Sequence, residues 1–436
     1  MTLPSDRSEA GFEDFKPPYT PDQARVEANR CLFCFDAPCV QACPTSIDIP
    51  GFIRKIATDN LRGSARTILD SNVLGMSCAR VCPVEVLCVG DCVYNEMGVP
   101  PIQIGKLQRY ATDLAFDEGW QFFEAGAPTG RSVGIVGGGP AGLAAAHRLR
   151  RFGHAVTIYD QRPVLGGLNT TGVAPYKMKA DRSLEEIAYV LAIGEIETRL
   201  GVEVGSEILP WEDLVAAHDA LFVAIGLGPD TLLDLPGAHL ERVIGAVEWI
   251  EQMKTGKVDL ADVETAVVLG GGNTAIDVVR ELVGLGVPNV EMVYRGTEAG
   301  MSGYAHEWRA AREAGARGRW QLAPVGFEGA GTDLTGVRLV RVDAHKQPVP
   351  GSELVIDADL VVMAEGQSKL DQAVQALHLR TDRGRIAVDA RGATSQPFVF
   401  AGGDAANGGK EVVNAVAEGR DAAVAIHEYL TTMEGR

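Results

Sequence analysis

All eight cysteines of this 436-residue sequence lie between positions 31 and 92, in two runs of four. The first run has the spacing C-x2-C-x4-C-x3-C-P, and the second also contains a Cys-Pro pair. A tight cysteine run that ends in Cys-Pro is typical of two-cluster iron–sulphur domains, in which the last cysteine of a run ligates the other cluster. Eight thiolates are enough for two [4Fe–4S] clusters. The residues are Cys31, Cys34, Cys39, Cys43, Cys78, Cys82, Cys88 and Cys92.

Two other uses of the cysteines fit the spacing less well. Structural zinc also uses C-x2-C pairs, but zinc ribbons separate two short knuckles by a longer gap, whereas both runs here are unevenly spaced. A disulphide scaffold is typical of short secreted chains, and the polar, acidic start of this sequence does not have the pattern of a secretory signal. The spacing therefore favours iron–sulphur clusters.

The composition excludes several classes of partner. The chain has 40 basic and 58 acidic side chains, a net charge of −18, which disfavours nucleic acid and anionic membranes as partners. No run of about 18 uncharged apolar residues is present to cross a bilayer. We expect a cytoplasmic protein that binds neither nucleic acid nor membrane.

The segments around the cysteines are predicted to be helical. A short helix is predicted over 22–30, apolar residues at helical spacing extend over 48–70, and 104–117 is predicted to be another amphipathic helix. Four prolines in residues 1–22 favour an extended arm. Glycine and proline in residues 126–130 mark a linker. The sequence therefore predicts a helical iron–sulphur domain over residues 1–127.

A complete dinucleotide-binding β-α-β unit follows the linker. A buried strand, 132–136, leads into a G-x-G-x-x-G loop and a helix, and a second strand ends at Asp160. Gly137 makes the turn, Gly139 lets the backbone approach a pyrophosphate, and Gly142 packs helix against strand. The helix N-terminus offers free N–H groups to the phosphates, and Asp160 is placed to accept from a ribose hydroxyl.

A second unit of the same kind begins at residue 265. Its strand, 265–269, precedes a glycine loop, and its return strand ends at Arg295. A decayed structural copy is disfavoured, because both phosphate glycines are present and alanine is allowed at the third position. The predicted nucleotide-binding residues are Gly270, Gly272, Asn273, Thr274, Ala275 and Arg295. Two units in one chain predict two bound nucleotides.

The end of the chain indicates which unit binds which nucleotide. Residues 397–404 form a strand ending in Gly403-Asp404, and a helix follows to about residue 429. This resembles the return of two-dinucleotide flavoproteins to their FAD domain, where the aspartate binds the ribityl chain and the helix start near Val412 faces the flavin. We expect an α/β fold of two nested Rossmann-like domains, with FAD bound by 128–243 plus 391–436 and NAD(P)H by 244–390. The remaining predicted FAD contacts are Pro140, Ala141, Gly167 and Leu168.

Taken together, these segments resemble the glutamate synthase small-subunit family over nearly the whole chain. The resemblance rests on the first cysteine run with its Cys-Leu-Phe-Cys-Phe-Asp-Ala-Pro-Cys sequence, on segments 74–83 and 87–92, and on Pro-Ile-Gln-Ile-Gly-Lys-Leu-Gln-Arg-Tyr at 101–110. Within the family, the motifs resemble in particular the NAD-linked electron-input subunits of bacterial two-subunit dihydropyrimidine dehydrogenases.

The resemblance implies an electron-transfer function. NADH would reduce FAD, and electrons would pass through two [4Fe–4S] clusters to a partner subunit that carries FMN and its own clusters and reduces uracil or thymine to 5,6-dihydropyrimidines. An NAD(P)H oxidoreductase that feeds glutamate synthase, ferredoxin or another iron–sulphur flavoenzyme is the alternative. A scaffold whose clusters only hold a partner in place is a third.

The resemblance also implies a set of cluster ligands. One cluster takes Cys31, Cys34, Cys39 and Cys92, and the other takes Cys43, Cys82, Cys88 and Gln108. From the residues alone Cys78 would be a ligand, because a thiolate outcompetes a carboxamide for iron. Following the resemblance, we expect Gln108 to be the eighth ligand, with Cys78 as the alternative.

The choice between NADH and NADPH depends on the residues after the second return strand. NADPH-using relatives have an arginine pair there, whereas this chain has Arg295-Gly296. The missing arginine favours NADH, although a typical NAD site would have an acidic residue where Arg295 lies. The eight histidines show no metal-ligand spacing, and no nucleophile motif is present, so we expect no catalytic side chain beyond the cofactors' own chemistry.

Overall fold

The structure, a computed structural model, describes residues 3–368 and 371–433. The chain packs as two compact units. One unit comprises residues 14–170, 180–227 and 371–433, and the other comprises 3–13, 171–179 and 228–368. The domain boundaries predicted at 127/128, 243/244 and 390/391 stay predictions.

The cysteine-rich part of the first unit is helical, as the apolar spacing indicates. Thr20 begins its first helix with a capping box, in which its hydroxyl accepts from the Gln23 N–H and the Gln23 side chain accepts from the Thr20 N–H. A 3-10 turn covers Val84–Val86. The helices are α1 (Pro21–Arg30), α2 (Pro38–Gln41), α3 (Ile49–Ala57), α4 (Leu61–Ser71), α5 (Gly75–Val81), α6 (Val93–Glu96) and α7 (Ile104–Asp117).

The helical spacing over 48–70 belongs to two helices rather than one. Asp59 between α3 and α4 has a φ of 62°, which ends the first helix, and the Asn60 side chain accepts from the Gly63 N–H at 3.0 Å to begin the second. Apolar residues of both helices are nevertheless buried together, including Phe52, Ile53 and Ile68. The two helices therefore share one core.

The rest of this unit is built on a parallel sheet flanked by helices. The sheet has the strand order β15-β4-β1-β2-β3, and Val136 pairs with Tyr159 on one side and with Val223 on the other. Its elements before residue 228 are β1 (Ser132–Val136), α8 (Pro140–Arg151), β2 (Ala155–Asp160), α9 (Leu168–Thr171), α10 (Ala180–Leu191), β3 (Ile196–Leu200), α11 (Trp211–Ala217) and β4 (Ala220–Val223).

The other unit repeats this plan and adds an antiparallel sheet. Its parallel sheet has the order β5-β12-β6-β7-β8, and the antiparallel sheet has the order β11-β10-β9. The antiparallel sheet was not predicted, because its strands carry no nucleotide motif. The elements are β5 (Val243–Gly245), α12 (Ala246–Thr255), β6 (Thr265–Leu269), α13 (Asn273–Gly284), β7 (Asn289–Tyr294), α14 (Ala305–Ala314), β8 (Arg317–Trp320), β9 (Leu322–Ala330), β10 (Asp333–Arg341), β11 (Leu354–Asp357) and β12 (Leu360–Met363).

The chain then returns to the first unit through a short helix and a small two-stranded sheet. Strand β15 adds in parallel to β4, so the first sheet is completed by residues almost 180 positions after β4. These last elements are α15 (Asp371–Ala376), β13 (Thr381–Asp382), β14 (Arg385–Ile386), β15 (Val399–Ala401), α16 (Asp404–Asn407) and α17 (Val412–Met433).

The N-terminal arm is less extended than its prolines indicate. Residues Ser8–Gly11 form a 3-10 turn, and Arg7 and Glu9 are buried beside it. The Arg7 Nε donates to Glu9 Oε1 at 3.0 Å, and the other carboxylate oxygen lies 3.8 Å from the Nζ of buried Lys254. This buried ion-pair cluster fixes the arm to its unit.

Separate apolar cores lie beneath these layers. One core joins α8 and α17 to the β1, β2 and β4 strands, and a second surrounds the cysteines. Within the ranges described, no helix is both long and apolar enough to span a membrane.

Candidate functional site

Four cysteines line a single cavity in the helical region. Cys31 follows α1, Cys34 lies in the next turn, Cys39 is in α2, and Cys92 precedes α6. They are the four that the resemblance implies for one cluster. The pKa of Cys39 is raised to about 12, first by burial and then by the nearby thiols of Cys31, Cys92 and Cys34. Such thiols stay protonated until a metal centre displaces the proton.

The other four cysteines form a second, more deeply buried group. The thiol of Cys82 has a raised pKa, first because of a hydrogen bond with Cys78 and then because of burial and the nearby Cys88 and Cys43. Burial also raises the pKa of Cys88 to about 12, with contributions from Cys43 and Cys39. The two groups therefore lie next to each other.

The two candidates for the eighth ligand are Cys78, which belongs to this second group, and Gln108. Gln108 is buried in the second turn of α7, and its Nε2 donates to the Gly75 carbonyl at 2.8 Å. Gly75 begins α5, the helix that carries Cys78. The side chain of Gln108 on α7 therefore contacts α5, the helix that carries Cys78, and the choice between the two residues stays a prediction.

The donor set fits iron–sulphur clusters. Among the residues that the structure describes, no three His, Cys, Asp or Glu side chains converge as ligands of one metal ion would. A [4Fe–4S] cluster distributes its four ligands over four irons, so its thiolates need not meet at one point. A cavity walled by four thiols satisfies this requirement.

The first glycine loop has the geometry that a pyrophosphate needs. Gly137 has a φ of 102°, and a Cβ there would lie 2.3 Å from the Ala224 carbonyl oxygen. A Cβ on Gly142 would lie 2.0 Å from the Gly137 carbonyl oxygen, whereas one on Gly139 would meet nothing within 4 Å. The loop is thus closed on the protein side and open at Gly139, in front of the first turn of α8.

Asp160 lies directly beneath this loop. Its Oδ2 accepts from the Gly138 N–H at 2.7 Å, and its Oδ1 accepts from the Arg162 N–H at 2.8 Å. The carboxylate therefore positions the loop itself, with lone pairs left for a ribose hydroxyl.

The segment with Gly167 and Leu168 packs onto the same loop. The Gly166 N–H donates to the Gly138 carbonyl at 2.8 Å, and a Cβ on Gly167 would lie 3.2 Å from the Gly139 Cα. The next residue, Asn169, is buried, and its Oδ1 has no donor among the described residues. A buried acceptor without a donor fits a cofactor hydroxyl or N–H at this position.

The predicted Gly403-Asp404 motif depends on a residue that the sequence analysis misses. Glu418 on α17 accepts from the Gly403 N–H at 2.7 Å and from the Asn407 Nδ2 at 3.1 Å. Gly403 has a φ of 68°, which this hydrogen bond helps to hold. Burial raises the pKa of both Glu418 and Asp404. Glu418 lies 14 residues beyond the motif, so no local signal identifies it.

Helix α17 joins the predicted FAD site to the cysteines. Val413, in its first turn, lies in one apolar core with Cys43, Cys82 and Cys88, and Val412 packs against the same core. Further along the helix, Arg420 donates to the Thr45 carbonyl at 2.8 Å and the Ser71 carbonyl at 3.0 Å. The helix end predicted to face the flavin is therefore part of the wall around the second group of cysteines.

The second glycine loop is closed in the same way as the first. Gly270 has a φ of 142°, and a Cβ there would lie 2.5 Å from the Ala364 carbonyl oxygen. Gly272 has no neighbour closer than 3.7 Å to such a Cβ, so it faces open space. Ala275 is buried, and Thr274 and Arg295 are exposed.

Segment 302–304 covers this loop and was not predicted. The Tyr304 N–H donates to the Asn273 Oδ1 at 2.9 Å, and the Gly303 N–H donates to the Gly271 carbonyl at 3.0 Å. Asn273 therefore positions the covering segment as well as beginning α13.

Comparisons with known proteins match the cysteine-rich region and the dinucleotide-binding region to two families. Residues 7–120 match the family described as dihydropyrimidine dehydrogenase domain II, 4Fe–4S cluster, and residues 131–419 match the pyridine nucleotide-disulphide oxidoreductase family. The NAD-dependent dihydropyrimidine dehydrogenase subunit PreT of Escherichia coli K12 is 36% identical over 421 residues, 96% of this chain and 97% of that protein.

A second relative and a solved structure extend the comparison. The glutamate synthase [NADPH] small chain of the same strain is 34% identical over 447 residues, 96% of this chain and 94% of that protein. Mycobacterium tuberculosis FprA in complex with NADPH has a TM-score of 0.57 at 19% identity, covering 70% of this chain and 86% of that chain. At that identity the last comparison supports the fold.

Proposed function

The chain belongs to the pyridine nucleotide-disulphide oxidoreductase family and carries a 4Fe–4S domain of the dihydropyrimidine dehydrogenase type, and from this we propose that it is the electron-input subunit of a two-subunit dihydropyrimidine dehydrogenase. It is an NAD(P)H-dependent oxidoreductase with FAD and 4Fe–4S clusters. The partner subunit, carrying FMN and its own clusters, would reduce uracil or thymine to the 5,6-dihydropyrimidine.

The observation that carries the proposal is the shared core of Val413, Cys43, Cys82 and Cys88. The region matching the oxidoreductase family, 131–419, contains no cysteine, so no disulphide within it can accept the electrons of a reduced flavin. The thiols next to the start of α17 would hold the iron–sulphur clusters, and these clusters would accept the electrons. This arrangement supports a path from the dinucleotide-binding region into the cysteine-rich region.

We propose the ligand and contact sets predicted from the sequence. One cluster takes Cys31, Cys34, Cys39 and Cys92, and the other takes Cys43, Cys82, Cys88 and Gln108, with Cys78 as the alternative. FAD binds within 128–243 plus 391–436, and NAD(P)H binds within 244–390. When bound, FAD accepts hydride from the nicotinamide and the clusters carry single electrons.

The protein's own residues hold these groups rather than react. Gly137, Gly139 and the first turn of α8 form an open, amide-lined cradle for the pyrophosphate. Glu418 fixes Gly403 by accepting from its N–H, and the neighbouring Asp404 would accept from the ribityl chain. NADH is the proposed donor because the second arginine of the NADPH-type pair is absent after Arg295.

A single purification tests the proposal. Anaerobically isolated protein should contain iron, sulphide and FAD, and NADH should bleach the flavin absorbance. Addition of the co-purified partner should give uracil-dependent oxidation of NADH. If NADH leaves the flavin oxidised, the electron-transfer proposal is wrong and a scaffold role gains support.

The second candidate function is the input subunit of a glutamate synthase or a ferredoxin-linked enzyme, favoured by the small-chain relative at 34% identity. NADPH oxidation that depends on glutamine and 2-oxoglutarate, with no response to uracil, would favour it.

A further inference from the structure

The first cysteine group lies under an exposed apolar surface. Phe35, next to Cys34, is fully exposed, and Leu32, Met97 and Val99 are also exposed. Leu32 lines the cavity together with the four cysteines. We call these four apolar residues the cluster face. Exposed apolar side chains are ordinary when scattered, but a group of them beside a functional cavity is typical of an interaction surface.

Hydrogen bonds bring the two segments of the cluster face together. The Tyr94 hydroxyl donates to the Arg30 carbonyl at 2.6 Å, and the Val99 N–H donates to the Tyr94 carbonyl at 3.0 Å. Tyr94 lines the same cavity as Leu32. The loop that carries Met97 and Val99 is therefore fixed beside the turn that carries Leu32 and Phe35.

The charges around the cluster face have one predominant sign. No Lys or Arg occurs in residues 31–53 or 81–105, whereas Asp36, Asp91 and Glu96 are exposed there. Of the flanking arginines, Arg30 is paired with Glu27 at 2.8 Å, and Arg54 lies over the Phe33 ring. An apolar centre with an acidic rim complements a partner whose contact surface is apolar and rimmed by Lys and Arg.

The burial of the cysteines makes this face the exit for electrons. In the first group Cys31, Cys34 and Cys39 are only partly buried and Cys92 is buried, whereas all four cysteines of the second group are buried. Electron transfer weakens steeply with distance, so a protein acceptor must dock over the less buried group. Interfaces commonly have an apolar centre and a polar rim, which the cluster face and the acidic residues around it provide.

We propose that the cluster face, with its acidic rim, is the docking site of a basic-rimmed one-electron acceptor protein. The proposal rests on the electron-transfer function proposed above and specifies the surface through which that function reaches its partner. A membrane or a nucleic acid is not the occupant, because an acidic rim repels both.

The test uses the holoenzyme and cytochrome c, a soluble basic one-electron acceptor. Phe35→Ser and Glu96→Lys should each lower the rate constant for NADH-dependent reduction of cytochrome c at low salt by about fivefold or more. The Glu96→Lys effect should disappear at about 0.5 M salt, where screening removes charge attraction, whereas the Phe35→Ser effect should persist. Surface plasmon resonance should show matching losses of cytochrome c binding.

Matched controls lie in the exposed loop between β3 and α11. Ile208→Ser and Glu207→Lys make the same chemical changes on another surface and should leave both measurements unchanged. The proposal is overturned if the holoenzyme does not bind cytochrome c, or if Phe35→Ser and Glu96→Lys reduce and bind cytochrome c as wild type does. It is also overturned if the control variants lose as much cytochrome c reduction and binding as Phe35→Ser and Glu96→Lys.

The two proposals fail in different ways. Flavin that NADH cannot bleach contradicts the electron-transfer function, whatever the binding data show. Normal bleaching in Phe35→Ser together with unchanged cytochrome c reduction contradicts only the docking site.

Discussion

The carboxylate of Glu186 accepts a hydrogen bond from the main-chain N–H of Ser77, with each oxygen 3.2 Å from that nitrogen. The same group accepts from the Met76 N–H at 2.8 Å and from the Ser77 hydroxyl. Asn169, which follows the predicted flavin loop, donates to the Ser77 Oγ at 2.9 Å. The fully buried Glu186 thus fixes the first turn of α5, the helix that carries Cys78, and the Asn169 side chain connects that turn to the predicted flavin loop.

This contact predicts a pH-dependent stability. Burial raises the pKa of Glu186 to about 7 from its ordinary 4.5. The folded protein then binds the Glu186 proton more tightly than the unfolded chain does. The proton's contribution to the free energy of unfolding is therefore full below pH 4.5 and is lost as the pH rises through about 7. Between about pH 5 and 8, the wild-type melting temperature should therefore fall relative to that of Glu186→Gln. The corresponding loss in the free energy of unfolding is up to about 3 kcal/mol.

Glu185→Gln, on the same helix but partly exposed, is the control and should follow the wild-type curve at every pH. Parallel curves for wild type and Glu186→Gln would contradict the assignment of a proton to this buried acid.

Two glycines of the first loop should separate folding from FAD binding. A Cβ at Gly142 would lie 2.0 Å from a carbonyl oxygen, so Gly142→Ala should lower both the melting temperature and the FAD content, at a cost of about 1–3 kcal/mol. A Cβ at Gly139 meets no protein atom within 4 Å, so Gly139→Ala should fold normally and lose FAD because it obstructs the pyrophosphate. Flavin content and thermal unfolding of the apoproteins check both. Normal FAD content in Gly139→Ala would place the cofactor elsewhere.

Iron content should decide between the two candidates for the eighth ligand. If Gln108 binds iron, Gln108→Ala should lose about half of the iron and the spectrum of one [4Fe–4S] cluster, while Cys78→Ser keeps both. Iron analysis and EPR of the dithionite-reduced proteins measure this. The reverse result would assign the position to Cys78, which already contacts Cys82.

Arg295 should affect the choice of nicotinamide. It is exposed just after β7, where the ribose of a bound nucleotide is predicted to lie. Since only NADPH carries a 2′-phosphate on that ribose, Arg295→Ala should lower kcat/KM for NADPH about tenfold and change that for NADH much less. Gly296→Arg should have the opposite effect on NADPH, provided that the Tyr294 ring turns, since a Cβ at 296 would lie 2.4 Å from it. Equal losses with both nucleotides in Arg295→Ala would exclude a role in discrimination.

The amino-acid sequence alone determined the chemistry and the class of fold. Cysteine spacing and the glycine loops are local patterns, because ligand turns and phosphate loops are made by residues close together in the chain. For that reason 4Fe–4S clusters, FAD and NAD(P)H could be predicted, as could α7 over Ile104–Asp117 to the residue.

The tertiary structure alone decided which distant residues support those loops. Glu418 accepts from the Gly403 N–H, Glu186 accepts from the Ser77 N–H, and Arg420 donates to the Thr45 carbonyl. These pairs are separated by 15, 109 and 375 residues. None of these partners lies in a motif, because a buried carboxylate or guanidinium is satisfied by whichever main-chain groups the packing brings to it. The antiparallel sheet β9–β11 also depended on packing rather than on apolar periodicity, whereas the break between α3 and α4 is made locally by Asp59 and the Asn60 cap.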